Sequence, residues 1–423
     1  MKSGIRKGQI LEVTVNGMDR HGMALYKSGQ QTLFINRAVE GDRVKIRVLN
    51  IKNKYGSAEL LNVITPSPFR IVSSCEDYDR GCGGCQWLHI NYEKQLEIKT
   101  RIVREDMSRI AGVKTPVAKT AGMSDTQAFR NKLSLLVKNN RAGMTRENSI
   151  ELININTCRQ ELPLNRKIHE GIKGMSIPDP VTQIHIRSTT GGVAGVSLYA
   201  SRKDPKITGF IQMLMKQFPE ICGIEVAANR DNHLTGSEFI TERIGNVSYR
   251  IPHNGFFQTN YCQAAVLLNF VETFLKPSSM ESLLDIYCGV GFFALALAGK
   301  YKRVAGIEEN ANSVRYAVEN SAANGITNSN FFADDAAAGL QKCKTGEYDS
   351  ILLDPPRSGC APEVLDQIVR LSPKKIVYVS CFPESLARDT TVFLKAGYKV
   401  DRIQPVDMFP HTSHVETVVR FFR

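Results

Sequence analysis

Lys375-Ile376-Val377-Tyr378-Val379-Ser380-Cys381-Phe382-Pro383 is a run of apolar and β-branched residues that stops on a cysteine and a proline. The run predicts a central strand of a parallel sheet, and Pro383 cannot continue its ladder. Cys381 is therefore expected at the carboxyl end of a strand, the edge where open α/β sheets bind ligands. A free cysteine is commonly a small apolar filler, and a reactive one needs an activating environment. The flanking sequence has to decide between these.

Upstream, strand and helix patterns alternate. Leu283 to Tyr287 reads as an apolar strand, followed by a glycine turn at Cys288-Gly289-Val290-Gly291 and a helix from Phe292. Arg303 to Glu309, Asn330 to Ala333 and Tyr348 to Leu353 are the next strands, ending at Glu308-Glu309, Asp334-Asp335 and Asp354-Pro355-Pro356-Arg357. A helix over 384–396 and strands near Lys399 to Gln404 and Glu416 to Phe422 close the series. Repeated βα units predict a doubly wound parallel sheet. A glycine turn after the first strand and an acid after the second are shared by dinucleotide-binding folds and S-adenosylmethionine (SAM) methyltransferases. The third glycine of a pyrophosphate cradle is absent, and Glu308 is placed to accept from both ribose hydroxyls of SAM. Asp334 is placed to reach the adenine, with a helix N-cap as the alternative reading.

Before this half lies Cys75-x6-Cys82-Gly83-Gly84-Cys85, with Cys158 much later. Three clustered thiols and a remote fourth suit a tetrahedral four-sulfur site, either an iron–sulfur cluster or structural zinc. Residues 92–111 read as an amphipathic helix, and strand-like runs follow to about Arg250. Phe129-Arg130-Asn131-Lys132 joins an aromatic ring to two cations, a combination able to stack on a base and hold phosphate; an ordinary loop-to-strand junction is the alternative.

The amino-terminal 65 residues alternate short strands with turns such as Asn16-Gly17 and Ser28-Gly29, which predicts a small β-barrel. Lys45, Arg47, Lys52 and Lys54 lie on or beside its later strands, and a basic barrel is a common RNA-binding shape. The chain carries 54 Lys plus Arg against 42 Asp plus Glu, a net charge of +12 that favours a polyanionic partner. No apolar run reaches the ~20 residues of a membrane span, and no signal-peptide core opens the sequence. The expectation is a cytoplasmic protein, in which ten cysteines point to metal binding or catalysis rather than disulfides.

The barrel, with Arg20-His21-Gly22-Met23-Ala24, resembles the TRAM domain, an RNA-binding module of RNA-modifying enzymes. Phe256-Phe257-Gln258-Thr259-Asn260, Asp285-Ile286-Tyr287-Cys288-Gly289-Val290-Gly291, Asp354-Pro355-Pro356-Arg357, Ser380-Cys381-Phe382-Pro383 and His414-Val415-Glu416-Thr417-Val418 resemble the ordered motifs of the RNA 5-methyluridine methyltransferases. The similarity covers nearly the whole chain. It implies an α/β fold with a TRAM- or OB-like barrel at 1–65, a central α+β iron–sulfur unit at 66–250 and a Rossmann-like SAM methyltransferase unit at 251–423, with helix 92–111 a candidate to pack on the last. It also implies a [4Fe–4S] cluster on Cys75, Cys82, Cys85 and Cys158, SAM contacts from Gln258, Tyr287, Glu308 and Asp354, Cys381 as nucleophile and Glu416 as base. The family usually has asparagine after the nucleophile; Phe382 stands there in this chain.

The resemblance implies SAM-dependent methylation of uridine carbon 5 in structured RNA, with 23S rRNA favoured, tRNA as the alternative, no protein partner and a monomer. Carbon 5 is too electron-poor to attack a methyl donor directly. A thiolate adding to carbon 6 turns the ring into an enolate, and a carboxylate then removes the carbon 5 proton so that the thiol can leave. Rival readings are an RNA 5-methylcytosine enzyme, which has a cysteine where Arg357 stands, and an inactive RNA-binding iron–sulfur protein.

Overall fold

The computed structural model describes residues 5–228 and 231–423. Arg43–Lys52 shows how the first unit forms: Val44, Ile46 and Val48 turn inward while Arg43, Lys45 and Arg47 face out, the period-two pattern of a half-buried strand. It pairs with Ile10–Thr14 and Tyr55–Thr65 in a six-stranded sheet completed by Gln31–Ile35, Ala24–Ser28 and Gly17–Met18. The barrel does not close its core alone. Trp87, Ile90, Ile98 and Ile102, all from beyond the barrel, pack with Leu33, Ile35 and Ile46.

Two of those residues belong to the helix Tyr92–Ala111. Asn91 caps it by accepting from the Lys94 N–H at 2.8 Å, and Gly112 ends it at φ 66°, a left-handed conformation natural to glycine. Its other face carries Val103 and Met107 into the core of the C-terminal sheet. Between these faces Lys99 donates to Asp407 at 2.5 Å, with both side chains fully buried, and Tyr92 donates to the other Asp407 oxygen at 2.7 Å. Burial lowers the Lys99 pKa and the Asp407 charge opposes that fall. The barrel loop is tied in as well: Arg20 pairs with Asp106 of this helix at 3.1 Å and with Glu384 at 2.5 Å.

The middle of the chain forms a seven-stranded sheet containing Lys132–Lys138, Val181–Ser188, Ala194–Ala200 and Ile221–Ala228. Ile184, Ile186, Val196 and Leu198 pack in one core with residues of the helices Pro163–Lys173 and Pro205–Gln217. Phe129, in the segment that leads into Lys132–Lys138, is 2% exposed, so it cannot stack on a base; the junction reading holds for that ring.

The C-terminal sheet has the order Ser329–Ala333, Arg303–Glu308, Ser282–Ile286, Ser350–Leu353, Lys375–Ser380, Glu416–Phe422, Lys399–Val406. The first five strands are parallel, as expected. The wholly parallel expectation fails at the end: Glu416–Phe422 inserts between two strands and runs antiparallel to both. Residues 407–415 are too few for the crossover of a dozen or more residues that a parallel return needs. Among the described residues no helix is long and apolar enough to cross a membrane.

Candidate active site

Five strand ends, the start of the last strand and one loop converge at the carboxyl edge of this sheet. After Ser282–Ile286 the backbone turns through Tyr287 at φ 68°, strained for a side chain of that size, and then Gly289 at φ 54°. Glu308 is held in place by two backbone donors, Gly289 N–H to Oε2 at 3.1 Å and Asn310 N–H to Oε1 at 2.9 Å. Asp335, not Asp334, caps the helix Ala336–Gln341 by accepting from Ala337 and Ala338. Asp334 is therefore not the cap, and it pairs with Lys342. Gln258 is set by the central sheet: its carbonyl accepts from the Asn131 side chain at 3.0 Å, and Asn131 N–H donates to Thr259 O at 2.9 Å.

Gln258, Tyr287, Glu308, Asp334, Asp354, Cys381 and Glu416 all line one cavity of about 1330 Å³. That exceeds the usual range for a single small ligand and leaves room for a second. The antiparallel insertion explains how Glu416 arrives there. Thr417 pairs with Ser380, so the start of the last strand lies beside the end of the Cys381 strand. A parallel strand would have carried Glu416 to the opposite edge.

The electrostatics are those of acids crowded in a closed space. Burial pushes Glu416 up to about 8, Asp354 adds to the rise and Arg357 opposes it. Enclosure lifts Asp354 to about 7. Burial raises the Cys381 thiol to about 12, Glu416 and Asp354 raise it further, and Arg357 pulls it down. Arg357 donates to His414 Nδ1 at 3.3 Å and lies 5.6 Å from the centre of the Phe382 ring. Phe382 occupies the N-cap of Pro383–Lys395 without a side-chain cap bond; the Ser380 hydroxyl accepts from its N–H and the Ser385 hydroxyl donates to its carbonyl. Cys381 and Arg357 also face a second cleft, of about 440 Å³, between the barrel loop at 20–23 and residues 145–149. Cys381 thus stands where two openings meet. Sequence reasoning assigned no role to His414, Phe256 or Phe409 at this cavity, although the first two lay inside quoted motifs.

Cys75, Cys82, Cys85 and Cys158 line a separate small cavity, with Arg130 on its wall. Burial raises Cys85 to about 12, with neighbouring thiols adding to the rise, and raises Cys158 to about 11, with Glu161 adding to that one. Among the described residues no three His, Cys, Asp or Glu side chains are grouped as ligands of a single metal ion.

Residues 224–423 match the sequence model of a family described as tRNA (Uracil-5-)-methyltransferase, and residues 6–61 match that of the TRAM domain. An uncharacterized RNA methyltransferase of Bacillus cereus is 31% identical, the alignment covering 100% of this chain and 98% of the relative. One from Synechocystis is 32% identical over 98% of this chain and 96% of the relative. The crystal structure of Pyrococcus abyssi tRNA (uracil-54, C5)-methyltransferase in complex with S-adenosyl-L-homocysteine superposes with a TM-score of 0.77 at 25% identity, covering 97% of this chain and all of that one.

Proposed function

The chain belongs to the RNA uracil-5-methyltransferase family and is an enzyme of that activity; from this premise we propose that it works through a covalent Cys381 adduct at carbon 6 of a uridine in 23S rRNA. The observation that carries the reading is the meeting of Cys381, Glu416 and Asp354 in one cavity with Gln258, Tyr287 and Glu308.

Glu308, fixed by two N–H donors, keeps lone pairs for the ribose hydroxyls of SAM, and Asp334, free of capping, faces the same cavity. Tyr287 and Gln258 complete the wall. SAM, when bound, supplies the methyl group and a sulfonium cation. The chain's own residues do the rest. Cys381 Sγ, as thiolate, adds to carbon 6, breaking the ring double bond and leaving the electron pair as an enolate. Arg357 is the cation that favours that thiolate. Once carbon 5 carries its methyl group, Glu416 takes the remaining carbon 5 proton, the double bond re-forms and the Cys381–carbon bond breaks. A base buried beside the thiol and pushed to about 8 is matched to this transfer near neutral pH.

Labelled SAM and uracil-containing RNA test the assignment. Cys381→Ala is expected to abolish methyl transfer. Glu416→Gln should slow turnover ~10²–10⁴-fold and accumulate a denaturant-stable protein–RNA adduct. Transfer by Cys381→Ala at the wild-type rate would refute the covalent route.

Large-subunit rRNA is the preferred substrate because the barrel together with the cysteine set resembles enzymes of that class. The Pyrococcus abyssi likeness favours tRNA as the second reading. Mapping 5-methyluridine in both RNAs from cells lacking the gene decides between them. We further read Cys75, Cys82, Cys85 and Cys158 as ligands of a [4Fe–4S] cluster, supported by four thiols around one cavity. Iron and acid-labile sulfide should be found at parity in anaerobically purified protein, and zinc without sulfide would overturn it. Units of 1–65, 66–250 and 251–423, working as a monomer in the cytoplasm, complete the proposal.

A further inference from the structure

The outward face of the central sheet carries three basic side chains that nothing in the fold neutralises. Register sets Lys132 opposite Arg187, and His185 opposite Ser134 on one side and Ser197 on the other. Their neighbours Leu133, Ile184 and Ile186 point the other way, into the core. Arg187 is 2% exposed, yet its partners are two carbonyls, Gly255 O at 2.8 Å and Phe257 O at 3.4 Å, and its buried Nε has none. His185 Nδ1 is buried without a partner as well. Among the described residues no carboxylate pairs with any of the three. The nearby acid on this face, Glu225, accepts instead from Asn254 at 3.0 Å and Asn232 at 3.4 Å. Burial and the Arg187 charge bring Lys132 down to about 8, and burial with Lys132 and Arg187 brings His185 down to about 4. His253, the other titratable ring here, donates from Nε2 to Ser237 O at 2.7 Å and leaves Nδ1 buried without a partner. Lys132 and Arg187 therefore repel each other until an anion arrives, while His185 stays neutral with a ring nitrogen unpaired.

The face also abuts the catalytic cavity. Tyr199 lines that cavity and its ring lies 4.6 Å from His185. Phe256, 72% exposed, stands on the same cavity's wall. A basic sheet face beside an exposed aromatic ring suits a nucleic-acid strand, the cations taking phosphate and the ring taking a base.

We propose that Lys132, His185 and Arg187 form a phosphate-binding site for the RNA strand next to the target uridine, with Phe256 stacking on a flanking base. The site rests on the RNA substrate argued above. The phosphate sits against Lys132 and His185, while the buried Arg187 adds its charge from beneath and holds the loop that leads to Gln258.

A fluorescent uracil-containing hairpin RNA that the wild-type protein methylates is the probe. Lys132→Ala should weaken its binding about tenfold at low salt and flatten the slope of log K against log salt by about one. Lys132→Arg should restore the slope. Phe256→Ala should weaken binding with the slope unchanged, because stacking releases no counterion. SAM affinity without RNA, unchanged in Lys132→Ala, reports an intact fold. Wild-type affinity and slope in both Lys132→Ala and His185→Ala, in a protein that still methylates RNA, would overturn the site alone. A wild-type protein that transfers no methyl group to any RNA would overturn the functional reading and the site together.

Discussion

Cys381 and Glu416 occupy a pocket that resists charge, and the consequence reaches stability as well as chemistry. Glu416 has an unfolded pKa near 4.5 and a folded one of about 8. Between these values the folded state binds more protons than the unfolded one, so stability falls as pH rises from about 4.5 to about 8. Glu416→Gln removes that penalty. Its Tm should exceed the wild-type value by more near pH 8.5 than near pH 5, as thermal scans across pH will show; an equal offset at both would refute the burial argument. Much at this scale was legible in sequence: acids at three strand ends and a thiol before Pro383 announce a site. The crowding that sets their pKa values was not, because it depends on which ends the fold brings together. Phe382 illustrates the limit. It replaces the family's asparagine beside the thiol, and only its position shows the ring lying under Arg357, with Ser380 and Ser385 holding the backbone.

Two elements decide where these residues meet. The βα alternation was plain in sequence, whereas the reversal of Glu416–Phe422 was not read from it, although the short stretch at 407–415 carried the signal. The helix Tyr92–Ala111 was read with its observed ends, since Asn91 and Gly112 are cap residues by type. What sequence could not give is that its two faces serve two cores, because a stripe of apolar residues does not name its partner. Lys99 marks the seam. Lys99→Met leaves Asp407 buried without its cation and should cost about 3–5 kcal/mol in urea unfolding. The double change Lys99→Met with Asp407→Leu should recover most of that loss. A single variant within about 0.5 kcal/mol of wild type would show the pair to be dispensable.

Across the whole molecule the barrel and the C-terminal sheet are joined through one helix rather than strung as beads. Trp87 and Ile98 are fully buried against the barrel, while Val103, five residues further along the same helix as Ile98, is fully buried in the C-terminal core. Barrel and catalytic sheet should therefore melt in one calorimetric transition, and two resolved peaks would contradict the shared-core argument. The barrel, the cysteine set and the strand-and-acid pattern were each visible in sequence as separate modules. Their mutual placement was not, since it rests on contacts such as Arg20 with Asp106 and Glu384 that join residues far apart in the chain. That last contact fixes more than stability. Glu384 lies three positions beyond Cys381, so the barrel loop is braced against the helix that starts at the nucleophile. The span from barrel to thiol is thereby a fixed gauge, held by side-chain ion pairs rather than left to a free linker.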